Sequence, residues 1–174
     1  MRYTISMLPE TQTLIKQRFR NIQLIGGAIL AGVVVLTVAG FLYIVKRTHV
    51  PDDSQINPDF LETLYYLPYA LTPILIAGMA WFGRLIPSLL QQQKPYKLEI
   101  LLGKIQTFFF MKLSVIDLPL FFGFLYAHLT GRFTHLIICG GISFFLGLLF
   151  FPRYEDFEKI VSTYTPSARP TYSP

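Results

Sequence analysis

Apolar and polar positions along this chain fall into long blocks rather than a short alternation. Four apolar windows stand out, at residues 22–45, 64–83, 105–129 and 133–151. The first, second and fourth hold no Asp, Glu, Lys or Arg, and the third holds only Lys112 and Asp117. Each approaches or exceeds the ~20 residues that a helix needs to cross a ~30 Å hydrocarbon core. Lipid offers no water to backbone N–H and C=O groups, so segments of this length are expected as helices. The pattern predicts an all-α fold, an integral membrane four-helix bundle with helices at about 22–45, 60–90, 98–129 and 133–151.

The second helix is expected to begin after "NPD", near Asp59, and to run past Arg84 into "LIPSLLQQQ". The third window has about 25 residues, or roughly 37 Å as a helix, so it must tilt, kink or protrude. The first window is too long for the apolar region of a secretory signal, and no small-x-small cleavage site follows it, so a permanent helix is expected.

Amphipathic margins flank the apolar block. Leu14, Ile15, Arg18, Phe19 and Ile22 repeat the helical i, i+3, i+4 spacing before the first window, and Phe157, Ile160, Val161 and Tyr164 repeat it after the last. Both are expected as short cytoplasmic helices at the interface or packed under the bundle. The organisation is thus an amphipathic segment at 1–21, a transmembrane domain at 22–152, and an amphipathic segment with a Pro-, Ser- and Thr-rich disordered tail at 153–174.

Composition agrees with a membrane protein. The chain has 174 residues, 52% hydrophobic and 14% charged, against roughly 25% charged in soluble domains. Basic residues set the orientation. Arg2, Lys16, Arg18 and Arg20, then Arg84, Lys94, Lys97 and Lys104, then Arg153, Lys159 and Arg169 fall on one side, and only Lys46, Arg47 and Arg132 on the other. The positive-inside rule therefore puts both termini in the cytoplasm, and the acidic "PDDSQINPD" loop outside. Trp81, Tyr43, Tyr65, Tyr66, Tyr69, Tyr96 and Tyr126 fall near window ends, as interfacial aromatics do. The net charge of +5 follows this topology and forms no basic stripe for nucleic acid.

The candidate chemistry lies in "MKLSVIDLPLFFGFLYAHLTG". Asp117 stands midway along the third window, the most costly depth for a charge, and so needs a proton, a partner or a wet cavity. Lys112 is five positions earlier, which leaves the two side chains ~140° apart on a regular helix; it is expected to snorkel toward the cytoplasm instead. Pro119 removes the bond to the Val115 carbonyl and is expected to kink the helix beside Asp117. Ser114, Thr72, Thr37 or a tyrosine are the expected hydrogen-bond partners of the carboxyl. Pro68 and Pro73 are expected to bend the second helix. Gly26, Gly27 and Gly32 in the first helix, with Gly140, Gly141 and Gly147 in the fourth, are expected at close helix contacts.

Other chemistry is set aside. His49, His128 and His135 are placed at or beyond the outer interface, so no pair can ligate a haem within the bilayer. The rival metal site from His128, His135 and Asp52 or Asp53 gives way to solvated loop histidines, and no metal or cofactor is expected. The lone Cys139 cannot form an internal disulfide. No phosphate-binding loop, H-E-x-x-H or nucleophile elbow occurs, so no enzyme is expected.

"IDLPLFFGFLYAHL" resembles the carboxylate-bearing helix of ATP synthase subunit c, which implies a proton or cation site at Asp117. The chain departs from that family in "KIQTFFFMK", where large aromatics stand in place of packing glycines. A longer stretch, 105–160, resembles a group of uncharacterised small four-helix bacterial inner-membrane proteins. It carries Lys112, Asp117, "FFG" at 121–123, "LTG" at 129–131 and "FP" at 151–152 before the charged tail "RYEDFEKI". That resemblance implies a bundle in a bacterial inner membrane and lends no activity. The expectation is a non-enzymatic accessory or scaffold protein whose Asp117 stabilises the bundle or an oligomer. Its partners are the lipid bilayer and a homo-oligomer or larger membrane complex. The alternative is a small coupling protein in which Asp117 exchanges a proton or cation.

Overall fold

The computed structural model describes residues 9–46, 56–91 and 98–164. They form six helices: α1 (Pro9–Lys46), α2 (Pro58–Gln91), α3 (Leu98–Ser114), α4 (Leu118–Thr130), α5 (Phe133–Leu149) and α6 (Tyr154–Tyr164). Among the described residues there is no strand. Three stretches, Gln12–Lys46, Pro58–Leu85 and Leu98–Thr130, are long and apolar enough to cross a membrane, and α5 with α6 makes a fourth if that pair, bent by 46°, is counted as one.

Two expected boundaries differ. The amphipathic stretch before the first window is not a separate helix; it forms the first turns of α1, which runs unbroken for 38 residues. No proline or glycine lies between Pro9 and Gly26 to stop it, and Pro9 sits at the first position, where its missing N–H leaves no gap in the ladder. The third segment is not a single kinked helix. It breaks at Val115, Ile116 and Asp117, and Pro119 lies in the first turn of the new helix α4 rather than inside the old one. A proline is tolerated there because first-turn N–H groups have no helical acceptor. By contrast α2 continues through both Pro68 and Pro73.

The α4–α5 hairpin forms the centre. Gly131 ends α4 with φ 72°, a left-handed conformation open to glycine, and its N–H bonds the Ala127 carbonyl at 2.8 Å. The hairpin closes tightly because Gly123 brings the α4 backbone against the Cys139 side chain. One face of the pair receives α1, with Thr37 against Gly140, Leu30 against Gly147 and Phe41 edge-on to Phe133 at 5.2 Å. The other receives α2 through Met79, packed with Leu113, Ile116 and Leu146, and through Tyr65, which meets Tyr126 at 5.3 Å. Helices α1 and α2 thus flank the hairpin from opposite sides. Gly26, Gly140 and Gly147 mark close approaches, whereas Gly27, Gly32 and Gly141 face open space.

At the end that holds the first turns of α1, Ile15, Phe19 and Ile22 meet Leu101, Leu102 and Ile105 of α3 and Phe157 and Val161 of α6 in one buried cluster. The apolar stripe of α6 is consumed there, so α6 packs beneath the helices. Elsewhere the outer surface is apolar: Val35, Ile74, Trp81 and Phe145 are each more than half exposed. A surface of this kind suits hydrocarbon rather than water.

Candidate functional site: a carboxyl at a broken helix

At the break the backbone donors of α4 are all accounted for. The Leu118 N–H reaches back to Val115 O at 3.4 Å, Pro119 has none, and Phe121 N–H bonds Asp117 O at 2.9 Å. The Leu120 N–H is taken by Ser143 Oγ of α5 at 3.0 Å. Ser143 is fully buried, and sequence reasoning missed it; the signal was the one hydroxyl in the otherwise apolar run 136–149 of α5, facing a proline-bearing helix.

Asp117 occupies the N-cap position of α4, where an Asp side chain commonly accepts an N–H from the first turn. Here it makes no such bond. Its Oδ1 is buried and has no hydrogen-bond partner among the described residues. The expected partners are all engaged within their own helices. Thr37 Oγ1 donates to Val33 O at 2.7 Å and Thr72 Oγ1 to Pro68 O at 2.7 Å. Ser114 Oγ donates to Phe110 O at 3.0 Å. The cause is local: a helical hydroxyl in apolar surroundings finds the carbonyl one turn back before it finds a neighbour. No tyrosine among the described residues bonds it either.

The depth of Asp117 follows from its neighbour. Gly147 of α5 packs against both Leu30 of α1 and Ile116, so the break lies level with the interior of the uncharged stretch 22–45. From this level a groove of about 770 Å³ runs between α1 and α4. Leu36, Ala39, Gly40 and Tyr43 form one wall, and Leu120, Phe121, Phe124 and Leu125 the other. Asp117 and His128 lie toward its two ends. Phe124 and Leu136 approach the Gly40 backbone so closely that an added Cβ would sit 3.0 to 3.1 Å from them. His128 stacks on Tyr43 with centroids 5.8 Å apart and on Phe124 at 6.1 Å. Asp117 is the only acidic group in this lining.

Lys112 turns elsewhere. A Cβ on Gly83 of α2 would lie 3.4 Å from Lys112 Nζ, and Asp156 of α6 is close enough to act on the lysine's charge. The two charged residues of the third window are therefore not brought together, in line with their spacing on a helix.

The histidines correct a sequence expectation. His135 is not a solvated loop residue; it is 3% exposed in the first turn of α5. Its ring stacks on Tyr65 at 4.7 Å and meets Tyr126 edge-on at 4.6 Å. Nδ1 lies 3.4 Å from Tyr69 Oη, and Nε2 lies 3.6 Å from Cys139 Sγ. The i, i+4 pairs Tyr65/Tyr69 and His135/Cys139 were the signal in the sequence: each puts both members on one helix face. Tyr69 and Tyr126, read as interfacial, turn inward for this box. Among the described residues no three His, Cys, Asp or Glu side chains are placed to hold a metal ion. His49, Asp52 and Asp53 lie outside the described residues.

No protein-family model, curated protein or solved structure matches the chain.

Proposed function

We propose that this chain is a non-enzymatic accessory or scaffold protein of a bacterial inner membrane. In this reading it is a multi-pass four-helix bundle with both termini cytoplasmic, akin to the small bacterial membrane proteins that its 105–160 stretch resembles. Asp117 serves assembly, with another copy or another subunit. One observation carries the reading: the carboxyl at the groove has a buried oxygen with no partner among the described residues, and its side chain caps no helix. Such a group at membrane depth is expensive to keep, so its counterpart is sought outside the fold. The half of the sequence expectation in which Asp117 holds the bundle itself together finds no supporting bond among the described residues. The test is the native mass of the complex in solubilised membranes. Asp117→Leu is expected to reduce that mass and Asp117→Asn to reduce it less; an unchanged mass in Asp117→Leu overturns the reading.

A second reading, exchange of a proton or cation at Asp117, draws on the same carboxyl because it lines an open groove and carries no fixed cation. Carbodiimide labelling of Asp117, with Asp117→Asn as blank, separates the two. Only the protonated acid reacts, so an exchanging carboxyl labels at low pH and loses the label as pH rises; absence of labelling at every pH rejects exchange.

A further inference from the structure

Asp117 as an assembly group leaves its counterpart unnamed, and the chemistry of the groove narrows it. We propose that the α1–α4 groove receives a transmembrane helix of a partner protein, and that this helix presents a Lys or Arg side chain to Asp117. The inference rests on the assembly reading and goes beyond it by naming the partner's chemistry.

Four observations converge. The groove is walled by two helices and extends along α4 from Asp117 to His128, about 16 Å, or three helical turns. Ala39 is exposed and keeps one wall low, the kind of surface on which membrane helices approach closely in the absence of a hydrophobic driving force, while the neighbouring Gly40 is taken up by Phe124 and Leu136. The walls are otherwise aliphatic and aromatic, and the single acidic group calls for a single basic one; intramembrane charges pair with one another. A second copy is a poor source of that base. Lys112 is the only Lys or Arg within the apolar windows, and it is directed at Gly83 and Asp156 rather than at the lipid-facing surface. Lipid head groups are a poor source too, since they lie at the membrane faces and Asp117 lies level with the interior of the uncharged stretch 22–45.

The test uses the full chain in neutral-lipid vesicles and two synthetic Leu/Ala transmembrane peptides, dansyl-labelled, free of Trp, and differing only in a central Lys or Leu. The single Trp81 is the energy-transfer donor. The Lys peptide is expected to bind about five- to tenfold more tightly than the Leu peptide, in keeping with one interhelical polar contact. Asp117→Asn is expected to shrink that preference and Asp117→Leu to abolish it. Ala39→Phe, which fills the groove at an exposed position and leaves the carboxyl, is expected to weaken both peptides; it keeps the test valid if Asp117 variants fail to insert. Equal binding of the two peptides overturns the basic-partner inference, as does a Lys preference that survives Asp117→Leu. If Asp117→Leu lowers the native mass while the peptides bind equally, the occupant is a second copy and only the present inference fails. If the mass does not change, the assembly reading itself fails.

Discussion

Ser143 and His135 show how single polar groups are handled where water is scarce. Ser143→Ala removes the acceptor for Leu120 N–H and is expected to destabilise the protein by about 1 kcal/mol, near the usual value of an interhelical bond in a membrane. Surfactant unfolding of the purified protein, followed by circular dichroism, measures it. His135→Phe keeps the ring between Tyr65 and Tyr126 and loses only the contacts to Tyr69 and Cys139; a cost of about 1 kcal/mol is expected. His135→Ala leaves a cavity and is expected to cost about 3 kcal/mol. A reversed order would mean that the polar contacts, not the packing, hold the box. At this scale the sequence was informative about type and poor about orientation. The unusual position of Asp117 was plain from its flanks. The partners assigned to it were wrong, because a hydroxyl's choice between its own helix and a neighbour depends on rotations that no linear pattern records.

At the scale of helices, Pro119 decides where one element stops and the next begins. Pro119→Ala restores an N–H that can bond Val115 O, so α3 and α4 are expected to join into one helix. Spin labels at the exposed positions Met111 and Phe124 would then move farther apart, and an unchanged distance would assign the break to Ser143 and packing instead. The glycines divide by neighbour. Gly140→Ala drives a methyl into Thr37 and is expected to loosen α1 from α5 at a cost of 1–3 kcal/mol. Gly141→Ala meets nothing within 4 Å and is expected to be neutral or stabilising; surfactant unfolding of the pair reads the difference. Helix positions were largely legible because apolar windows of this length admit no other structure. The unbroken α1 was not, since a polar-to-apolar change in composition looks like a boundary even where the backbone sees none.

For the whole molecule, the sole cysteine gives a clean test of topology. Cys139 is fully buried and is expected to stay unreactive toward a membrane-impermeant maleimide. If both termini are cytoplasmic, as proposed, Arg18→Cys and Arg153→Cys should label only in inverted vesicles, and Arg132→Cys only in right-side-out cells. Any other distribution rejects that orientation. The cluster in which Phe19 meets Tyr154 at 5.1 Å and Phe157 at 5.4 Å bears on how the protein is made. The apolar stripe in the first turns of α1 is covered in part by α6, which is synthesised after α1 to α5. Until α6 is made, Ile15, Phe19 and Ile22 have only Leu101, Leu102 and Ile105 of α3 to cover them, so the growing chain exposes part of this stripe. A chain stopped after Pro152 would keep that part of the stripe bare, and a pulse-chase is expected to show it degraded faster than the chain that carries α6.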